Sequence, residues 1–196
     1  MEPPELVLAS NNPGKLREIA ALLSMRVIPQ AQLGIAEAEE PHATFLENAL
    51  AKARHASRAA RLPALADDSG LCVEALGGAP GVNSAYYAGR EGAREQRDAR
   101  NNEKLLGNLS GNRRAYYCCV VVLLRAAEDP RPLVAEGLWH GEIARAPRGS
   151  NGFGYDPIFF IPEIQKNAAE LDAAQKNRIS HRGKALAQLL EKLKQC

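Results

Sequence analysis

Several short stretches of this chain hold residue types that can do chemistry together. Ser10-Asn11-Asn12-Pro13-Gly14-Lys15 follows the apolar run Leu6–Ala9 and precedes Leu16, Ile19, Ala20, Leu22 and Leu23, which have helical spacing. A strand, a tight loop, a helix start capped by Asn12 with Pro13 at its first position, and a lysine make a seat for phosphate. Backbone N–H groups left unpaired in the first turn and the positive end of the helix dipole would face the anion, and Lys15 adds a full charge. The same residues also suit an ordinary strand-to-helix turn, and the spacing is not that of a Walker loop.

Two acidic stretches come next. Asp67-Asp68-Ser69-Gly70 closes the apolar Ala64-Leu65-Ala66, where α/β proteins place chemistry, although an Asx turn would use the same residues. Glu37-Ala38-Glu39-Glu40 precedes a second helix. Hard carboxylate oxygens beside a phosphate seat suit Mg²⁺, which takes one or two carboxylates and completes its shell with phosphate and water. Farther on, Phe153-Gly154-Tyr155-Asp156-Pro157 offers an aromatic face beside an open backbone, suited either to stacking a base or to a core turn. Lys176 with Ser180-His181-Arg182-Gly183 puts cations at the start of the last helix, against its dipole, a conflict that an anion or a polar ligand edge would relieve.

The elements that must position these residues alternate. The pattern predicts strand 5–10, helix 13–24, strand 25–29, helix 44–61, strand 63–67 and a helix near 94–109. Thr44-Phe45-Leu46-Glu47 is a capping box, and Leu46, Ala49, Leu50, Ala53 and Ala60 form the expected apolar stripe, with Lys52, Arg54 and Arg58 on other faces. Arg114–Leu124 and Leu133–Ile143 read as long strands joined by a hairpin-like connection, Ile158–Ile161 as a buried strand, and the segment from about Ser180 as an amphipathic helix. The fold class expected is α/β with a mixed sheet, over one domain spanning 1–196.

Composition narrows the function. The 196 residues carry 25 basic and 23 acidic side chains, net +2, which argues against nucleic acid as a partner. No window approaches the ~18 apolar residues of a membrane span. The arginines of 90–100 are interleaved with acids and read as a solvated helix face. The four cysteines lack metal-ligand spacing and read as reduced thiols, and the start Met1-Glu2-Pro3-Pro4-Glu5 is not a signal peptide, so a cytoplasmic setting is expected.

In that order, Ser10–Lys15, Thr44–Asn48, Asp67–Leu71 with Gly77–Gly81, Gly152–Pro157 and Ser180–Gly183 resemble the inosine triphosphate pyrophosphatase family along essentially the whole chain. The resemblance implies a long central mixed β-sheet flanked by helices, two lobes around a nucleotide cleft, and a homodimer. It implies Mg²⁺-dependent hydrolysis of inosine, deoxyinosine and xanthosine triphosphates to monophosphate and pyrophosphate. Carried over residue by residue, Ser10, Asn11, Asn12, Pro13, Gly14 and Lys15 resemble the triphosphate loop, and Lys52 a further phosphate contact. Asp68 resembles the metal ligand and proton acceptor, Ser69 a substrate contact, and Glu39 the second metal carboxylate, in a register that Glu40 beside it could also fill. Phe153, Gly154, Tyr155, Asp156, Lys176, His181 and Arg182 resemble the base and sugar pocket. Donors such as Arg182 or the Tyr155 N–H would donate to the C6 oxygen of the keto purines and reject adenine.

Overall fold

A computed structural model describes residues 5–23 and 25–195. The chain opens with β1 (Glu5–Leu8), whose Leu6, Val7 and Leu8 are buried, and passes into α1 (Pro13–Ala20). Asn12 caps α1, its Oδ1 accepting the N–H of Gly14 at 2.9 Å and of Lys15 at 3.1 Å. The predicted cap is therefore real, but it consumes two of the N–H donors that the phosphate-seat reading left open for an anion. α1 stops at Ala20, short of the expected end, and Ser24 lies outside the described residues.

β2 (Arg26–Pro29) is followed by α2 (Phe45–Ala60), where the capping box forms as predicted. Thr44 Oγ1 accepts the Glu47 N–H at 3.2 Å and donates to Glu47 Oε2 at 2.6 Å. The buried face of α2 differs from the expected stripe: it is Asn48, Ala49, Lys52, Ala53, Ala56 and Ser57, while Leu46 is exposed. A lysine lies on the inner face because buried carboxylates wait for it there. β3 (Ala64–Val73) supplies them. Asp67-Asp68-Ser69-Gly70 does not turn, as the sequence suggested, but runs on as the middle of this ten-residue strand. With their charges answered by side chains from other elements, the two aspartates need no turn backbone to satisfy them.

The remaining elements are α3 (Arg94–Asn108), β4 (Arg114–Leu124), β5 (Leu133–Ile143), β6 (Phe159–Ile161), β7 (Lys166–Asn167), α4 (Ala173–Ile179) and α5 (His181–Leu193). The sheet has seven strands in the order β2-β1-β3-β4-β5-β6-β7. β1 is parallel to β2 and β3, and β6 is antiparallel to β5 and β7, so the sheet is mixed as expected. Among the described residues, no helix is long and apolar enough to cross a membrane.

Two compact units divide the chain. One holds the residues up to Asp68, Cys119–Gly137 and those from His181 onward, around a core of Leu6, Leu8, Ile19, Leu65, Val121, Leu186 and Leu189. The other holds Ser69–Cys118 and Leu138–Ser180. Its core includes Leu71, Leu105, Ile158 and a ring cluster in which Phe159 lies 4.7 Å from Tyr117 and 5.0 Å from Trp139. Trp139 is thus a core residue, while Tyr86 and Tyr87 are half-buried at the edge of α3. Cys72, Cys118 and Cys119 are buried and not disulfide-bonded, as the spacing suggested, and Cys196 lies outside the described residues.

α5 approaches β5 over Gly137, where a Cβ would come within 2.0 Å of the His181 carbonyl oxygen and 2.6 Å of the Ala185 nitrogen. Backbone cannot yield there as a flexible side chain could. Gly137→Ala is expected to destabilise the protein by about 1–3 kcal/mol, the usual cost of overpacking. A thermal melt should show the midpoint several degrees lower, and an unchanged midpoint would show that α5 has room to shift.

Candidate functional site

Within the first unit, two neighbouring carboxylates organise a cluster of charged side chains. Successive residues of a strand point to opposite faces, so Asp67 and Asp68 reach different partners. Asp67 Oδ2 lies 3.0 Å from Lys15 Nζ of α1 and 3.1 Å from Arg182 Nη2 of α5. Arg182 also donates through Nη1 to Glu18, one turn beyond Lys15 on α1. Asp68 Oδ1 lies 3.1 Å from Lys52 Nζ, and its Oδ2 accepts from Asn48 Nδ2 at 3.3 Å. Asn48 and Lys52 are four residues apart, which places both on the inner face of α2.

The acidic loop ahead of α2 reaches the same point. Glu40 Oε1 is 2.5 Å from Lys52 Nζ, so one ammonium is shared by Glu40 and Asp68. The carboxylate that arrives is Glu40, whereas Glu39, the residue expected from the resemblance, lies exposed one position earlier. Asn48 fixes that register: its Oδ1 accepts the His42 N–H at 3.0 Å and its Nδ2 donates to the His42 carbonyl at 3.2 Å. Asn48 and Glu18 were not singled out from the sequence. A buried asparagine in mid-helix, where its propensity is poor, was the available signal for the first.

The environments push the two aspartates apart. Burial favours the neutral acid in both. For Asp67, Lys15, Arg182 and Lys52 overcome it and hold the carboxyl well below the usual carboxylate range. For Asp68, burial wins with help from Glu40 against Lys52 and Lys15, and its pKa is raised. Burial would lower the Lys52 ammonium, yet Asp68, Asp67 and Glu40 push it up to about 12. Arg182 is likewise held charged despite burial by Asp67 and Glu18. The cluster therefore sets one carboxyl below its ordinary value beside one above it, the pattern in which environments push two acids apart.

These three cations face four carboxylates, so the cluster taken alone is not a positive phosphate seat. Among the described residues, no group of three or more His, Cys, Asp or Glu side chains could hold a metal by itself. Asp68 and Glu40, converging on one ammonium, nevertheless offer the one or two hard oxygens that Mg²⁺ takes when phosphates complete its shell. The donor set fits that ion.

The triphosphate-loop candidates are placed around this cluster. Ser10 and Gly14 are buried, Asn11 and Pro13 exposed, and Asn12 donates its own N–H to Ser10 Oγ at 3.2 Å. His181 begins α5 and is buried. Arg182 is only 1% exposed. The anion that relieves its unfavourable place at a helix start is the protein's own, Asp67 with Glu18, rather than the edge of a base.

In the second unit, Asp156 anchors the aromatic loop from inside. It is 2% exposed, and its Oδ2 accepts the Phe153 N–H at 2.8 Å and lies 2.6 Å from Lys176 Nζ. Gly152 at φ +74° passes so close that a Cβ would sit 2.1 Å from that oxygen. Tyr155 is a core side chain whose hydroxyl donates to the Ser84 carbonyl at 2.8 Å. Phe153 is left half-buried, with the Lys176 ammonium 4.7 Å from its ring centroid. Ser69 follows Asp68 on β3 and is half-buried.

Comparison with known proteins extends this geometry. Residues 6–192 match the family model of the Ham1 family. A dITP/XTP pyrophosphatase of Burkholderia pseudomallei (strain K96243) is 63% identical over 193 residues, which cover 96% of this chain and 92% of that protein. One from Bordetella pertussis (strain Tohama I) is 61% identical over 194 residues, 96% of this chain and 91% of that protein. Among solved structures, a HAM1 protein from Coxiella burnetii has a TM-score of 0.89 at 49% identity, covering 98% of this chain and all of that one (100%).

The ion network around Asp67 generates a stability prediction. Arg182→Met would leave the buried carboxylates of Asp67 and Glu18 short of a cation, and the cost expected is about 3–5 kcal/mol. Urea denaturation should show a lower midpoint at an unchanged slope. A midpoint equal to the wild type would mean that Asp67 is neutralised another way.

Proposed function

The chain belongs to the Ham1 family, and from that premise we propose that the Asp68 cluster performs the hydrolysis at the heart of its function. The protein hydrolyses non-standard purine nucleoside triphosphates, namely those of deoxyinosine, inosine and xanthosine, to the monophosphate and pyrophosphate. The observation that carries the reading is the convergence of Lys52, Glu40 and the more basic Asp68 beside the Lys15–Asp67 pair.

The chemistry follows from charge. A triphosphate brings about four negative charges to a cluster whose carboxylates outnumber its cations, so it needs a divalent ion to enter. Asp68 and Glu40 would hold Mg²⁺, which when bound offsets phosphate charge and stabilises the pyrophosphate leaving group. Lys15 and Lys52, both within reach of carboxylates that can share them, would bind phosphate oxygens. Lys52 stays an ammonium across the physiological range because its pKa is pushed up to about 12. Water attacks phosphorus as the bond to pyrophosphate breaks, and Asp68, the carboxylate beside Lys52, would take its proton. Asp67 supports the site without entering the reaction, by holding Lys15 and Arg182.

The base falls to the second cluster in this reading. Phe153 would stack the purine, on a loop held rigid by Asp156 and Lys176. Gly154 and Tyr155 are the further base contacts in this reading, with Tyr155 contributing backbone rather than side chain. A single catalytic domain, a homodimer and a cytoplasmic setting complete the proposal, and sedimentation of the purified protein tests the dimer.

Asp68→Asn removes charge and basicity with little change of shape. Its kcat for inosine triphosphate should fall at least about 10²-fold, the scale of losing a key electrostatic contact in a transition state. Pyrophosphate release at saturating Mg²⁺ is the readout, and near-normal turnover would overturn the assignment. Chelation of divalent ions should abolish release by the wild type and Mg²⁺ should restore it; full activity in chelator would remove the metal from the scheme.

A further inference from the structure

Along α2, Asn48, Lys52 and His55 follow one another at helical spacing and so share one face. Each takes hold of the acidic loop, at successive points along it. Asn48 binds His42 through both backbone groups, Lys52 pairs with Glu40, and His55 Nε2 lies 2.9 Å from the Ala36 carbonyl oxygen. Residues 35–42 form neither helix nor strand, and the Glu40 side chain is 39% exposed. Neither a strand ladder nor core packing therefore fixes where Glu40 sits; the contacts with α2 do. Asn48 is 1% exposed and commits its whole amide to two tasks. Its Oδ1 accepts the His42 N–H at 3.0 Å, and its Nδ2 hydrogens serve the His42 carbonyl at 3.2 Å and Asp68 Oδ2 at 3.3 Å.

We propose that Asn48 is a positioning residue for the divalent-ion site: it sets the spacing between Glu40 and Asp68, the two carboxylates assigned to Mg²⁺. The partners that orient a ligating carboxylate matter to ion affinity almost as much as the carboxylate itself. One side chain that touches Asp68 and grips the peptide just beyond Glu40 ties the strand to the loop. Consecutive Cα atoms are ~3.8 Å apart, so that grip acts within about 8 Å of the Glu40 backbone. Lys52 bridges the same two acids, but as a cation it offsets the very charge that attracts a divalent ion. The amide of Asn48 is neutral, so it orients both acids and leaves their charge intact. Few side chains could replace it. Leucine has the volume but no donors, and aspartate would set an oxygen against Asp68 and the His42 carbonyl.

The inference rests on the reading that Asp68 and Glu40 hold the ion, and the experiment tells the two apart. Mn²⁺, which takes the same oxygen donors as Mg²⁺, is titrated into the complex of the protein with the α,β-methylene analogue of inosine triphosphate. Electron paramagnetic resonance follows the free ion. Asn48→Ala and Asn48→Leu should each weaken Mn²⁺ binding at least about tenfold. Hydrogen exchange at residues 40–43 should quicken in both while α2 stays protected. Ser57→Ala removes a 2.7 Å hydrogen bond to the Leu62 carbonyl farther along the same helix. It should lower the thermal midpoint and leave Mn²⁺ binding unchanged. Wild-type Mn²⁺ affinity or unchanged exchange in Asn48→Ala, or an equal loss of affinity in Ser57→Ala, would overturn the proposal. The alanine variant decides if the leucine variant does not fold. Asp68→Asn and Glu40→Gln should weaken Mn²⁺ binding as well, and wild-type affinity in both would overturn the metal reading and this inference with it. Weakened binding there beside wild-type affinity in Asn48→Ala would overturn the role of Asn48 alone.

Discussion

Two aspartates stand side by side in the middle of a buried strand, and the architecture around them answers the cost of putting them there. A carboxylate removed from water loses several kcal/mol of solvation unless cations and donors replace it. Because Asp67 and Asp68 face opposite ways, one set of partners cannot serve both. Asp67 draws Lys15 from α1 and Arg182 from α5, and Asp68 draws Lys52 and Asn48 from α2. The docking of three helices is thereby coupled to two adjacent residues. Leucine, valine and alanine packing supplies the bulk of cohesion, but it tolerates small shifts; the ion pairs demand that each helix bring a particular side chain to a particular oxygen. Buried ion pairs are poor stabilisers compared with apolar packing of the same volume. Their retention here makes better sense as preparation for chemistry.

The same arrangement gives the two carboxylates different characters. Asp67, between a lysine and an arginine, stays ionised. Asp68 shares its lysine with Glu40 and is left more basic than an ordinary aspartate. A single dipeptide thus provides two carboxyls shifted in opposite directions, distinguished by surroundings alone. Charge balance adds a second consequence. Carboxylates outnumber cations in the cluster, so a bare triphosphate would meet side chains of net negative charge.

Much of this was legible in the sequence where the signal is local. Pro13 at the first helical position, the Thr44–Glu47 box and the apolar Arg114–Leu124 run each specify their element through neighbours a few residues away. Failures fell where the deciding partner is distant. Asp67–Gly70 is turn-forming by local preference, and only Lys15 and Arg182, far off in sequence, make it a strand. The apolar pattern of α2 leaves Lys52 on another face, and buried acids bring it to the inner one. That Glu40 reaches Lys52 goes with the grip of Asn48 on His42, which no pattern of acidic residues reveals. Asn12 shows a subtler limit: it was read correctly as a cap, and the consequence that a cap occupies the anion's donors follows only from the hydrogen bonds themselves.

The central claim is that this cluster directs water to the phosphorus nearest the nucleoside and expels pyrophosphate. Hydrolysis of inosine triphosphate in oxygen-18-labelled water, with products resolved by mass spectrometry, tests it most directly. The account predicts one labelled oxygen in the nucleoside monophosphate and none in the pyrophosphate. Label appearing in pyrophosphate, or products consisting of nucleoside diphosphate and inorganic phosphate, would contradict it.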